Sequence, residues 1–419
     1  MGGFLLGMST VQNRHVHAKM VAMKDEKEKI DELLSRNVID VIDREHLKKR
    51  LLSGEKLRIK FGIDPTGANI HIGRAVPLWK LREFQDLGHT IVLIIGDFTA
   101  QVGDPSDKLE KRPFLSRDQV ERNLKDYLPQ IGKILDLKKT EIRHNSDWLG
   151  ELTFREISEL ADNFSFQQIL ERRNFKDRWD RQEEISYREG LYPLMQGYDS
   201  VAIKADVELG GTDQLFNLLA GRKIQERYDQ KPQDIMTTAM VVGLDGRKMS
   251  TTWGNVINII DTPDDQFGKT MSLRDELIPE YFERVTDVSM IEAEKIKKEM
   301  KGMENPKKFK ERLAFEIVKR YHGVRVAEIA QENFEKLFSR KEMPENLPEL
   351  KLKEGDMFAL DIVLASDAVK SRGEARRLIE QGGFDIEGKT VKDPAEKVRL
   401  DSGAVIRVGK KRFFRVAPF

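Results

Sequence analysis

His71 stands near the end of "FGIDPTGANIHIGR", residues Phe61–Arg74, where an apolar run gives way to a turn and then to a helix start. Leu57, Ile59, Phe61 and Ile63 alternate as a half-buried strand does, and Asp64-Pro65-Thr66-Gly67 ends the run. Pro77 is expected in the first turn of the following helix, where its missing N–H costs little. A strand, a glycine-containing loop and a helix N-terminus together hold phosphate groups on backbone N–H donors. Neither G-x-G-x-x-G nor G-x-x-x-x-G-K-[ST] is present, and a histidine takes the place of the lysine. A lone histidine in a turn is more often simply solvated. Its chemical reading is an imidazole N–H facing a phosphoryl group as charge develops, with Gly73 admitting the backbone closely.

Four other stretches carry groups of the same kind. "DGRKMSTT" (Asp245–Thr252) is an ordinary surface turn or a mobile loop whose Lys248 brings a point charge to a pyrophosphate leaving group. "GDPSDKLEKR" (Gly103–Arg112) offers Asp104 in a turn, then Lys108 and Arg112 four residues apart, which also suits an exposed helix start. In "LYPLMQGYDS", Tyr192, Gln196 and Asp199 recur at i, i+4 and i+7, one face of a helix. Apolar Leu191, Leu194 and Met195 surround that phenol, amide and carboxylate, a pattern of polar groups set into a pocket. "ELGGTDQ" adds Asp213 and Gln214 after a glycine turn.

The elements that must position these groups read as α/β. "TIVLIIGD" (Thr90–Asp97) is a near-continuous buried strand, preceded by a helix over 75–87 and a Gly88-His89 stop. "DSVAIKADVELGG" (Asp199–Gly211) runs to the second glycine turn, with a helix from about Gln214. This spacing predicts a parallel sheet with right-handed crossovers, whose ligands lie at the carboxyl ends of the strands. Residues 19–53 read as a charged helix, with Ile30, Leu33, Leu34 and Val38 on one face. After Ile260 the pattern is helical and lysine-rich; Pro344 and Pro348 mark a linker over 340–353, and 354–419 is a helix pair followed by short strands and turns.

Composition sets outer limits. A chain of 419 residues has room for two or three domains at about 150 residues each. Net charge is only +1, so any nucleic-acid site must be a local patch. Lys351–Phe419 carries 15 Lys and Arg against 11 Asp and Glu, so positive charge gathers at one end. There is no cysteine, which excludes disulfides, thiolate catalysis and Cys-based zinc sites and suits the cytosol. The apolar run Phe4–Leu6 is too short for a signal peptide, and no window approaches the roughly 20 apolar residues of a membrane span.

In order, HIGR, GDPS-x-K, Y-x-x-x-Q-x-x-D, GGTDQ and KMSTT resemble the class I aminoacyl-tRNA synthetases, specifically the bacterial-type tyrosyl-tRNA synthetases. "KSRGEARRLIEQGGFDIEGKTV" (Lys370–Val391) resembles the S4-type RNA-binding domain that ends these enzymes. The resemblance implies a Rossmann-like catalytic domain with an N-terminal helical extension over 1–260, an α-helical tRNA-binding domain over 261–345 and a small α+β S4-like domain over 353–419. It implies a cytoplasmic homodimer that uses L-tyrosine, ATP with Mg2+ and tyrosine tRNA, with no tightly bound metal and no membrane partner. It further implies that His71, Gly73, Arg74, Thr66, Lys248 and Ser250 serve catalysis. Asp104, Tyr192, Gln196, Asp199 and Gln214 would hold tyrosine, with Asp199 accepting from the phenol O–H. Asp64, Gly73, Asp213, Lys108, Arg112, Lys248, Met249 and Thr251 would meet ATP. Lys370, Arg372, Arg376, Arg377, Lys410, Lys411 and Arg412 would meet RNA.

Three positions depart from the family pattern. Arg74 replaces the second histidine of the first motif, Thr251 the second lysine of the KMSKS-type loop, and Lys60 a tyrosine that many bacterial members use as a second phenol contact. Arg74 still presents donors to phosphate, whereas Thr251 does not replace an ammonium. Two other readings fit the residues. One is an RNA-binding protein on the same scaffold without catalysis; the other is activation of another amino acid, tryptophan being closest in shape.

Overall fold

The computed structural model describes residues 26–65, 69–104, 116–250, 253–301, 305–338, 347–352, 355–369, 371–409 and 412–418. These fall into two units, one up to Ala327 and one from Glu328, a division that lies within the helix Val324–Phe338.

The first unit is built on a six-stranded sheet of β1 (Val38–Ile42), β2 (Arg58–Ile63), β3 (Thr90–Ile95), β4 (Thr140–His144), β5 (Val207–Gly211) and β6 (Asp234–Thr238), in the order β1-β6-β5-β2-β3-β4. β2 to β6 are parallel and β1 pairs antiparallel with β6. The chain builds outward from β2 through β3 and β4, then returns to the other side of β2 with β5 and β6. The crevice between β2 and β5 is therefore the switch point at which such sheets bind ligands. β3 is buried along nearly its whole length, as its unbroken apolar run demands.

Three expectations about elements change. The helix after β2 spans Ile72–Asp86, so Pro77 lies inside it, not in its first turn. Proline has no N–H for the Gly73 carbonyl, and that carbonyl loses its bond within the helix. Residues 19–53 do not make one helix: among the described residues a helix over 26–33 is followed by β1 and then by the helix Arg44–Leu52. Asn37 and Asp43 take left-handed conformations on either side of β1 and break the helical run, and β6 supplies its hydrogen bonds. Asp199–Ile203 completes the helix Tyr187–Ile203, and the strand begins only at Val207.

The helices Pro263–Met271, Ile278–Val285, Met290–Glu299 and Lys307–His322 do not form a core of their own. Tyr281, Phe282, Leu313 and Ile317 pack in the same apolar cluster as Ile59, Phe84, Ile91 and Leu93 of the sheet layer.

In the second unit, β9 (Phe384–Ile386), β10 (Lys389–Val391), β12 (Val405–Val408), β13 (Arg412–Ala417) and β7 (Glu349–Lys351) form a sheet in the order β10-β9-β12-β13-β7. β8 (Gly355–Phe358) pairs with β11 (Lys397–Leu400). The helices Ala359–Ala365 and Arg372–Glu380 bury Ile362, Val363, Ala375 and Ile379 against Phe384 and Ile406. The helix pair is where the sequence places it. Glu349–Lys351 is not linker, however: it pairs in parallel with β13 as an edge strand.

Candidate active site

A cavity of about 260 Å³ opens at the carboxyl ends of β2, β3 and β5, where the strand order predicts it. Asp64 enters it after β2, Asp104 after β3, and Asp213 and Gln214 after β5. Tyr192, Gln196 and Asp199 enter from one face of the helix Tyr187–Ile203, and Gly73 and Arg74 from the start of the helix Ile72–Asp86. Thus nine of the sequence-selected residues line one cavity.

His71 caps that helix start. Its Nδ1 accepts from the Arg74 N–H at 3.3 Å, which leaves Nε2 as the nitrogen bearing hydrogen. Burial, with the Arg74 and Lys248 cations nearby, pushes the imidazole down to about 3. At neutral pH it is therefore a hydrogen-bond donor without charge. The segment is pinned from the far side: Ile72 N–H donates to the Ile257 carbonyl (2.9 Å) and Ile259 N–H to that of Ile70 (3.0 Å).

The loop carrying Lys248 lies against this helix start. Met249 is buried, and a Cβ on Gly73 would stand 2.9 Å from its sulfur, so any larger residue there requires the methionine side chain to shift. Buried Asn255 organises the loop. Its Nδ2 donates to Asp245 Oδ1 (2.8 Å) and to the Lys248 carbonyl (3.1 Å), and its Oδ1 accepts from Ser250 N–H (2.9 Å). Asn255 and Arg247 hold the Asp245 carboxyl well below the usual carboxylate range. Lys248 itself is exposed.

The carboxylates of the cavity are tied to specific donors. Tyr192 O–H donates to Asp64 Oδ2 (2.9 Å) and Thr99 O–H to Asp64 Oδ1 (2.7 Å). A Cβ on Gly96 would fall 2.0 Å from that Asp64 oxygen, so Gly96 makes the arrangement possible. Gln214 Nε2 donates to Asp104 Oδ2 (3.3 Å). Asp199, 3% exposed, receives Trp148 Nε1–H at 2.8 Å and Asn145 Nδ2 at 3.4 Å. Burial raises its carboxyl to about 7 despite Lys60 and those two donors.

Lys60 covers the second face of β2 midway along the strand. Its side chain is fully buried and donates to Glu208 Oε1 (2.9 Å), the Gln196 carbonyl (2.6 Å) and Ser200 Oγ (2.7 Å). Glu208 is its cross-strand partner on β5 and also receives Gln196 Nε2 (3.0 Å). The buried ion pair thereby sets the orientation of the Gln196 amide, whose Oε1 accepts from Asn217 (3.0 Å).

Thr66, Lys108, Arg112 and Thr251 lie outside the described residues, as do Lys370, Lys410 and Lys411 in the second unit. There, Arg372, Arg376 and Arg377 are exposed on one helix, whose Ala375 and Ile379 point inward, and Arg412 is exposed on β13. Sequence reasoning missed Asn145, Trp148, Thr99 and Asn255. The first two follow β4 directly in "HNSDWLG", a strand end like the others, and that position was their signal. Among the described residues no group of three or more His, Asp or Glu side chains is arranged to hold a metal.

A Rossmann-like sheet with these motifs at its switch point has close relatives. Residues 52–339 match the tRNA synthetases class I (W and Y), and residues 360–406 match the S4 domain. The chain belongs to this class I aminoacyl-tRNA synthetase family. The tyrosine–tRNA ligase of Thermotoga maritima is 46% identical to it over 387 residues, 92% of this chain and 96% of that one. The tyrosine–tRNA ligase of Aquifex aeolicus is 45% identical over 385 residues, 92% of this chain and 97% of its own. The fold is shared with a C-terminally truncated mitochondrial tyrosyl-tRNA synthetase of Aspergillus nidulans, at TM-score 0.61 and 21% identity over 76% of this chain and 100% of that one. It is also shared with the tyrosyl-tRNA synthetase of Archaeoglobus fulgidus complexed with L-tyrosine, at TM-score 0.58 and 21% identity over 73% and 99%.

Proposed function

We propose that this chain is a tyrosine–tRNA ligase whose reaction centre is the cavity between β2 and β5. The single observation that carries the assignment of the site is Asp199, a carboxyl group buried in the wall of the cleft. A ring with a hydroxyl donor adds to the bonds it receives from Trp148 and Asn145, and a bare ring leaves its remaining acceptor capacity unfilled.

Tyrosine's α-ammonium is taken up by Asp104, Gln196 Oε1 and the Tyr192 oxygen, which is left to accept because its proton goes to Asp64. Asp64 lies beside the adenylate, Gln214 at the carboxylate side and Asp213 at the ribose. One oxygen of the tyrosine carboxylate attacks the α-phosphorus of ATP and the bond to pyrophosphate breaks. His71 Nε2–H and Lys248 stabilise charge on the phosphoryl oxygens; the proposal assigns Thr66, Arg74 and Ser250 to the same step, Met249 and Thr251 to ATP, and Lys108 and Arg112 to pyrophosphate, with Mg2+ entering with ATP. The 3′-terminal ribose hydroxyl of the tRNA then attacks the tyrosyl carbonyl and AMP leaves. No protein nucleophile takes part.

The same proposal assigns residues 1–260 to catalysis, 261–345 to anticodon-side tRNA contacts and 353–419 to RNA binding through Lys370, Arg372, Arg376, Arg377, Lys410, Lys411 and Arg412. It places the enzyme in the cytoplasm as a homodimer. Exposed Phe154, Phe166, Trp179 and Tyr187 support the dimer, since solvent-facing aromatics gathered along 154–187 suit burial against a second copy. No helix among the described residues is long and apolar enough to cross a membrane.

Pyrophosphate exchange into ATP, run with each of the twenty amino acids, tests the reading. Exchange should require Mg2+ and tyrosine. Exchange with tryptophan in its place would move the assignment within the family, and none from folded protein would leave only an RNA-binding role.

A further inference from the structure

Lys60 stands where many members of the family keep a tyrosine against the substrate's phenol, yet its ammonium is committed elsewhere. An ammonium has three donors, and Glu208 Oε1, the Gln196 carbonyl and Ser200 Oγ take them all. Neither Lys60 nor Glu208 lines the cavity; both lie behind Gln196, which does. Glu208 is the hub of a polar cluster. Its Oε1 receives Lys60 and Gln196 Nε2, and its Oε2 receives Ser200 O–H (3.3 Å) and the Gln233 amide. Lys60, Glu208, Ser200, Asn217 and Gln233 are each at most 1% exposed, so the cluster is sealed from solvent. A side-chain amide turned end for end exchanges its donor for its acceptor, and only its neighbours fix which way it stands. Asn217 donates to Gln196 Oε1, but a second amide turns in concert with the first and decides nothing by itself. A carboxylate only accepts. Glu208 therefore holds the Gln196 nitrogen and leaves the oxygen as the end that meets a donor.

We propose that Lys60 and Glu208 are positioning residues that hold the Gln196 oxygen toward the cavity and so make the site select its amino acid by the charged α-ammonium. The proposal rests on Gln196 Oε1 receiving that ammonium, as in the function proposed above. An ammonium donates and does not accept, so an amide turned the other way sets N–H against N–H and repels the substrate. A buried ion pair adds little stability over apolar residues of similar volume. Here it fixes a polar group that two apolar residues would leave free to turn. The position thus serves the amine end of the amino acid, where the family's tyrosine serves the ring end.

The experiment is pyrophosphate exchange by the full-length enzyme, with KM and kcat for tyrosine and the inhibition constant of desaminotyrosine, which keeps the phenol and the carboxylate and lacks the amine. Lys60→Met combined with Glu208→Met removes both charges together and strands neither. This double variant should raise tyrosine KM by roughly tenfold to hundredfold, with kcat within about threefold of its normal value, the pattern of lost uniform binding. Inhibition by desaminotyrosine should move by less than about twofold, because it brings no ammonium for Gln196 to receive. Gln196→Met should reproduce that split. If tyrosine and desaminotyrosine weaken equally in the double variant, Lys60 and Glu208 only pack the core and the proposal falls. If Gln196→Met splits them while the double variant leaves both unchanged, the amide keeps its orientation without the pair and the proposal falls again. If Gln196→Met moves neither, the ammonium lies elsewhere, and the placing of tyrosine fails together with the proposal. If the double variant does not fold, Glu208→Gln decides in its place, since it keeps the volume and lets an N–H face Gln196. The ratio of tyrosine KM to the desaminotyrosine inhibition constant should then rise at least about threefold, and an unchanged ratio overturns the proposal.

Discussion

His71 is half-buried and Asp199 buried, and desolvation drives their titrations in opposite directions, each toward its neutral form. For His71 this is an advantage, because a neutral imidazole with Nδ1 already occupied offers one fixed donor throughout the physiological range. His71→Ala should therefore lower kcat and kcat/KM together by about 10²–10³, with tyrosine KM little changed, and the rate should show no limb between about pH 5 and pH 8 assignable to this histidine. For Asp199 the cost is stability. A carboxyl raised from 3.8 to about 7 favours the fold while it is protonated, and that contribution is lost as pH rises through about 7, on the order of 4 kcal/mol at most. Asp199→Asn should then raise the unfolding free energy at pH 8 by on the order of 2 kcal/mol, less than the limit because its amide meets the Asn145 donor. Urea unfolding at pH 8 and near pH 4 checks the sign: the gain should vanish at the lower pH. A variant equally destabilised at both would show that Asp199 is not held against its ionisation.

At the scale of elements, the proposed mechanism makes catalysis depend on how the Lys248 loop meets the Ile72–Asp86 helix, a contact that Gly73 and Asn255 shape. Gly73→Ala puts a methyl group into Met249, and Asn255→Ala removes the bonds to Asp245, the Lys248 carbonyl and Ser250 N–H. Both should lower kcat for pyrophosphate exchange by roughly tenfold or more while leaving tyrosine KM near its normal value, since a displaced cation loses transition-state contact before it disturbs the ring pocket. A rise in KM alone would place the loop in substrate binding instead. Local pattern made some of these elements legible. β3 announced itself by an apolar run that only a doubly covered strand can bury, and Tyr192, Gln196 and Asp199 by helical spacing. Other features depend on distant partners and left no local trace. Val38 fits a helical stripe, and only pairing with β6 turns it into a strand residue. Lys60 looks like the solvent face of β2 until Glu208, far along the chain, arrives beside it. Asn255 is one polar residue among many in its stretch, and its role appears only when the loop folds back on it.

At the scale of the molecule, the proposed adenylate site and the charge proposed to bind RNA belong to different units. The proposed reaction centre lies wholly in the unit ending at Ala327, and the S4 match lies wholly in the unit beginning at Glu328. Because Glu349–Lys351 is an edge strand of the second unit's sheet, a cut between the two activities must fall before it. A chain ending at Phe338 keeps the whole Val324–Phe338 helix and the apolar cluster shared by sheet and helices. It should fold cooperatively and retain tyrosine-dependent pyrophosphate exchange at nearly the full-length rate, because no group assigned to that step is removed. Transfer of tyrosine to tRNA should fall sharply. The lost contribution is electrostatic, carried by Arg372, Arg376, Arg377, Arg412 and their lysine neighbours. The full-length affinity for tRNA should therefore weaken steeply as salt rises, and the shortened chain should show a shallower slope, by roughly 0.7–0.9 for each phosphate contact removed. Equal charging of tRNA by both chains would remove the S4 domain from recognition. Loss of exchange together with transfer would mean that the first unit depends on the second for its fold.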